Sequence, residues 1–375
     1  MYRYQKQIIL QDLEKKMVFL VGPRQVGKTW LSRDLMLDFS HSLYLNYDNR
    51  DDQDVIHTQS WREHTDLLVL DELHKMPQWK TFVKGIYDKK LPHQRILVTG
   101  SARLDTFRQA GDALSGRFFT HRLLPFSAKE LALVGTTPDL KKLFSQGGFP
   151  EPYLSHDADD IARWRQSYID GLIREDIVNF ESISQFKTLS TLIKLLQRSV
   201  GSPLSYASLA RDLQVSSVTV KKYIDTLEAL FIVFSVRPYS THIARSILKE
   251  PKLYFYDTGM VLGDDGIKFE NALAISLLKH VWGTVDRTGA DLQLHYLRTK
   301  EGQEVDFCLA RDGQIESIIE AKLQNTTWSK GLCYFCEKYA LKGIQVVAEM
   351  QNRAERQQGS MTLRRASEYL LELFL

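Results

Sequence analysis

The strongest constraint on the fold lies at one junction. An apolar run over residues 17–21 stops at Gly22, and a segment of helical periodicity begins at Lys28. Between them the chain reads Gly22-Pro-Arg-Gln-Val-Gly27-Lys28-Thr29. Gly22 and Gly27 let the backbone turn so that successive N–H groups face one point, and the helix directs its positive dipole end to the same place. A strand that enters a helix through such a loop makes a cradle for an anion with several oxygens. It also demands a layered α/β fold around it.

The flanking sequence agrees. Residues 17–21, 42–45, 66–70 and 95–99 are short, nearly all-apolar runs, as expected of strands buried on both faces of a parallel sheet. Helical patterns lie between them, over 28–37 and 78–89, and alternating βαβ units imply a doubly wound sheet with right-handed crossovers. The chain has 375 residues, too many for one compact core, which suggests roughly two to four domains. No window is long and apolar enough to span a bilayer, and residues 1–7 lack the apolar core of a signal peptide, so a cytoplasmic location without a membrane partner is expected. The net charge of +3 gives no bulk argument for nucleic acid, so any basic patch must be local.

GxxxxGK[ST] between a strand and a helix is the phosphate loop of nucleotide-binding proteins. The expected contacts run through Gly22, Pro23, Arg24, Gln25, Val26, Gly27, Lys28, Thr29 and Trp30. Lys28 is placed to reach the β and γ phosphates of ATP, and Thr29 to set its hydroxyl on Mg2+. The run 67–70 ends in Asp71 and Glu72, and strand ends at the carboxyl edge of an open sheet face the ligand crevice. Asp71 is expected to hold Mg2+, and Glu72 to polarise the attacking water. The run 96–99 ends in hydroxyls, where Ser101, or else Thr99, would orient that water. Ser115-Gly-Arg117 offers an arginine that could act as a finger on a neighbouring subunit's γ phosphate, which would require a homo-oligomer; a plain surface arginine is the other reading.

Further along, 161–180 and 186–200 are helical in period, and 204–228 reads as helix, turn and helix. Leu209, Leu213 and Val215 anchor its first half, Ser216 is a natural N-cap, and Val220, Ile224 and Leu227 share one face. That leaves Ser217, Lys221 and Lys222 outward, suited to DNA, with 231–236 as a wing strand. The other use of such an element is packing against a protein. Strands are expected over 252–256, 293–297, 304–309 and 315–319, with helices near 269–281 and 328–341. Cys308, Cys333 and Cys336 are too few and too odd in number for a disulfide framework. The lone Cys333–Cys336 pair supplies only half of a structural zinc site, so these are read as core residues.

Taken together, Gly22–Thr29, 67–72, 98–101, Leu114-Ser-Gly-Arg117, Leu124-Pro-Phe-Ser-Ala-Lys-Glu130 and Gln146-Gly-Gly-Phe-Pro-Glu151 resemble the AAA+-type ATPases paired with a DUF4143 C-terminal region. The resemblance covers nearly the whole chain. It implies an AAA+-type doubly wound parallel sheet over 1–135, a helical region over 136–200, a winged helix over 201–240 and a restriction-endonuclease-like α/β domain over 241–375. In that last domain Glu270, Asp306, Glu320 and Lys322 resemble the PD-(D/E)xK nuclease core. There Asp306 and Glu320 would bind Mg2+ and Lys322 would stabilise the reacting phosphate. Val305, rather than proline, precedes Asp306. A retained fold without cleavage is the other reading of these carboxylates.

Overall fold

A computed structural model of the chain describes residues 3–61, 63–100, 114–133, 138–173, 183–240, 250–324, 327–350 and 355–374. They form two compact units, residues 1–124 with 229–231, and residues 125–228 with 232–375.

The first unit runs α1 (Gln5–Leu13), β1 (Met17–Val21), α2 (Lys28–Met36), β2 (Ser42–Asn46), α3 (Arg50–Thr58), β3 (Leu67–Asp71), α4 (Trp79–Lys89), β4 (Arg95–Gly100) and β5 (Phe118–Arg122). Its sheet has the order β2-β3-β4-β1-β5, with every neighbouring pair parallel. All five residues of β1 and all five of β3 are buried, which is why neither strand alternates in polarity. Met17, Phe19 and Val21 pack on one face with Leu68, Leu70, Trp79, Val83 and Ile86. Helices α1 and α2 lie against β1 and β4, and their apolar residues Ile9, Leu13, Leu31 and Leu35 are buried. Chain order reverses between β1 and its neighbours, so the β1–α2 loop and the end of β3 open at the same edge of the sheet.

The second unit begins with α5 (Ala128–Leu133), α6 (Leu140–Gln146), α7 (Pro150–Leu154), α8 (Ala158–Gly171), α9 (Ile183–Leu196), α10 (Tyr206–Leu213) and α11 (Ser217–Ala229). Next come β6 (Val233–Pro238), β7 (Lys252–Phe255), α12 (Asp265–Thr288), β8 (Leu292–Arg298), β9 (Glu304–Arg311) and β10 (Gln314–Lys322). The unit closes with α13 (Lys330–Tyr339), β11 (Gly343–Val347), β12 (Arg356–Gln358), β13 (Met361–Arg365) and α14 (Ala366–Glu372). Its mixed sheet has the order β12-β13-β11-β10-β9-β8-β6-β7.

Helix α12 is tied to the strands by Asn271, whose side chain accepts from Phe255 N and donates to Phe255 O at 2.8 and 2.9 Å. The Lys279 ammonium of α12 is buried against the Glu130 carboxylate, and it also donates to Pro125 O at 2.8 Å. Breaking such a pair leaves a lone buried charge, so both residues hold the unit together. Cys308 and Cys336 lie in the apolar cluster around β9, β10 and α13, with Cys333 packed against it. Burial pushes the Cys308 thiol up to about 12.

The expected strand over 231–236 is shifted. Phe231 has φ +55° and belongs to the turn, so the strand starts at Val233. That strand pairs with β7 on one side and, at Arg237 and Pro238, with β8 on the other, so it is built into the large sheet. Of the helix expected over 161–180, residues 174–180 lie outside the described residues.

Candidate functional site

Gly22 has φ +151°, and a Cβ there would meet Leu123 O at 2.1 Å, so only glycine lets the loop pass β5. Gly27, at φ +98° and ψ +24°, starts α2 from a left-handed backbone. Between them Pro23 and Val26 are buried, Arg24 is half-buried and Gln25 is exposed at φ +57°. The N-terminal segment braces the loop from behind. The Arg3 guanidinium is buried, donating to Val26 O and, at 3.1 Å, to Leu124 O. Lys6 pairs with Asp34 and Asp38 of α2 at 3.2 and 2.8 Å.

The Lys28 ammonium lies across the loop, donating to Gly22 O at 3.0 Å and Pro23 O at 2.6 Å. Thr29 is exposed at the mouth, and its hydroxyl donates to Asp71 Oδ2 at 3.2 Å. Trp30 is 38% exposed on the first turn of α2. Asp71 is buried and held on both oxygens. Tyr44 Oη donates to Oδ2 at 2.5 Å, while the Thr99 hydroxyl and, at 3.0 Å, the Glu72 N–H donate to Oδ1. A hydroxyl beside a carboxylate, both at the loop mouth, is an all-oxygen donor set of the kind a magnesium ion takes. These residues therefore fit the ion that the phosphate loop implies.

Glu72 leaves β3 with φ +53°, which turns its side chain away from the strand direction. It lies 3.5 Å from Lys75 and 3.7 Å from His74. Burial, aided by the Asp71 charge and opposed by Lys75 and Lys28, holds its carboxyl above the usual glutamate range. A carboxylate raised in this way is the better proton acceptor near neutral pH. Thr99 faces Asp71, whereas Ser101 lies outside the described residues.

Arg117 sits elsewhere. The pairing of Met17 with Phe118 sets it at the amino end of β1, at the opposite edge from Gly22. Its guanidinium pairs with Asp88 of α4 at 2.8 and 3.5 Å. That edge is away from the phosphate loop of its own chain.

In the second unit Leu209, Val220, Ile224 and Leu227 are buried and Ser217, Lys221 and Lys222 are exposed on α11. Ser216 Oγ caps the helix, accepting from Thr219 N at 3.0 Å. Val218, on the same outer turn, is 67% exposed.

Glu270, Asp306, Glu320 and Lys322 come together as expected, but with an added residue. The Lys252 ammonium of β7 stands 2.7 Å from Glu304 Oε1, 3.4 Å from Asp306 Oδ1 and 3.6 Å from Glu270 Oε1. Lys322 pairs with Glu320 at 2.8 Å. Among the described residues no three acidic, histidine or cysteine side chains converge as metal ligands. The Lys252 ammonium thus lies among Glu304, Asp306 and Glu270, while Glu320 faces Lys322. Sequence reasoning passed over Lys252, Tyr44 and Arg3. A lysine opening an otherwise apolar strand was a signal for the first, but nothing local marked the other two.

Among the described residues no helix is long and apolar enough to cross a membrane. Family models match in three consecutive stretches: an AAA domain over residues 14–132, a domain of unknown function (DUF8612) over 137–267, and a domain of unknown function (DUF4143) over 265–366. An uncharacterized protein of Mycobacterium tuberculosis is 27% identical over 79% of this chain and 68% of its own length. One from Haemophilus influenzae is 23% identical over 78% of this chain and 79% of its own. Among solved structures, the Walker-type ATPase of Pyrococcus abyssi covers 71% of this chain and 95% of its own at 14% identity, with a TM-score of 0.44. A Thermotoga maritima RuvB variant covers 61% and 87% at 17% identity, with a TM-score of 0.32.

Proposed function

We propose that this chain, a P-loop AAA domain followed by DUF8612 and DUF4143 regions, hydrolyses ATP at the Gly22–Thr29 loop and couples the turnover to bound DNA. The observation that carries the first half is the Thr29 hydroxyl set 3.2 Å from Asp71 at the mouth of the loop, with Glu72 next along the chain. In this reading the backbone N–H groups of 22–28 and the Lys28 ammonium bind the β and γ phosphates. Thr29 and Asp71 hold Mg2+, which when bound neutralises charge on the β and γ oxygens. Glu72 takes a proton from water as the water oxygen bonds to the γ phosphorus and the bond to the β–γ bridging oxygen breaks. Tyr44 and Thr99 fix the direction of the Asp71 carboxylate. Arg117 serves the loop of a neighbouring copy in a homo-oligomer.

The DNA half rests on the outward Ser217, Lys221 and Lys222 of α11, a helix whose inner face is fully used in packing. It requires no cleavage. A second reading is favoured by the exposed Val218 on the same turn: α11 docks on a protein, and ATP acts as a switch. The deciding experiment is the ATPase rate with and without a panel of linear and branched DNA. Stimulation by DNA supports the first reading. Slow turnover indifferent to every DNA, together with no DNA binding, assigns the helix to a protein partner.

A further inference from the structure

The C-terminal carboxylate cluster is built around an ammonium group. Side chains alternate along a strand, so Lys252 and Tyr254 share one face of β7, and Glu304 and Asp306 share one face of β9. The Lys252 side chain is only 2% exposed, and the Tyr296 ring lies 5.5 Å from its ammonium. Each carboxylate around it has other partners as well. The Tyr254 hydroxyl donates to Glu270 Oε1 at 2.8 Å, Ala321 N–H donates to Asp306 Oδ2 at 3.0 Å, and Arg298 lies 3.4 Å from Glu304 Oε2.

We propose that Lys252 is the permanent counter-cation of this cluster, so that the C-terminal unit works without a divalent metal and breaks no phosphodiester bond. Magnesium needs oxygens in near-octahedral array at about 2.0–2.1 Å. Here it would meet two like charges, Lys252 at 3.4 Å from Asp306 Oδ1 and Lys322 at 2.8 Å from Glu320 Oε1, in a space where water screens little. Three carboxylates within 3.6 Å surround the buried ammonium.

The test is a titration of Mn2+ into the nucleotide-free full-length chain, with free ion followed by electron paramagnetic resonance. Wild type and Asp306→Ala are expected to give the same isotherm, so whatever the phosphate-loop residues bind cancels in the comparison. Lys252→Met removes the ammonium and leaves its carboxylates, and it is expected to gain a manganese site that adding Asp306→Ala abolishes. A wild-type site lost in Asp306→Ala overturns the proposal, as does metal-dependent nicking of DNA that Asp306→Ala removes. A folded Lys252→Met chain that takes up no additional manganese overturns it too. Should Lys252→Met not fold, the wild-type comparison alone decides.

Discussion

At the residue scale, the nucleotide site turns on how two adjacent acids are treated. Asp71 is buried with hydrogen-bond donors on both oxygens, while Glu72 turns out of the strand and carries a raised pKa. That difference predicts an acid limb in kcat. As pH falls through the raised Glu72 value the carboxyl keeps its proton and cannot accept another, so activity should fall at a pH above the ordinary 4.5. A pH–rate profile with its acid limb at or below 4.5 would contradict this. Tyr44→Phe deletes one donor to Asp71 and leaves the ring. A hydrogen bond to a charged group contributes about 1.5–3 kcal/mol, so the Mg2+ concentration for half-maximal rate should rise about tenfold or more. An unchanged Mg2+ dependence would leave Tyr44 a packing residue. Lys28, Thr29, Asp71 and Glu72 were legible because phosphate chemistry dictates their types and spacing. Tyr44 and Arg3 were not, because each reaches the site across the sheet or behind the loop, and no local pattern records such a reach.

At the element scale, the strands of the first unit were legible to within about one residue of each end, since a buried parallel strand has to be apolar throughout. Strand β5 was missed because His121 and Arg122 make it look polar; His121 is nonetheless buried, 3.0 Å from Asp12. The loop itself gives a sharp prediction. Gly22→Ala sets a methyl 2.1 Å from Leu123 O, and the resulting shift should abolish ATP binding. The accompanying loss of stability should be about 1–3 kcal/mol, typical of overpacking, with the sheet still folded by circular dichroism. Retained ATP affinity would show that the loop can move off β5. For α11, Lys221→Glu with Lys222→Glu should weaken DNA binding and lower the magnitude of the log–log salt slope by about one for each phosphate no longer neutralised. An unchanged slope moves the helix to a protein surface. In the second unit β7, β8, β9 and β10 were also legible, whereas β11, β12 and β13 were not. Glu270, Asp306 and Glu320 were visible as a cluster, while Lys252, which pairs with Glu270 and Asp306, enters from a strand two places away from β9's nearest neighbour.

At the scale of the whole molecule, the proposed finger role of Arg117 calls for a second copy of the chain. Arg117 is at the wrong edge of its own sheet to reach its own phosphate loop. Arg117→Ala should therefore slow hydrolysis without weakening ATP binding. Mixing it with the Glu72→Gln chain should restore part of the rate, because one mixed interface regains both groups. A strictly monomeric protein with no rescue on mixing removes the finger role. All of this depends on hydrolysis at Gly22–Thr29 and Asp71–Glu72, and the most direct measurement is γ-phosphate release from ATP by three chains with ATP binding followed in parallel. The account predicts release by wild type, neither tight binding nor release by Lys28→Ala, and tight binding without release by Glu72→Gln, whose amide keeps the shape but takes no proton. Equal release by wild type and either variant would contradict it.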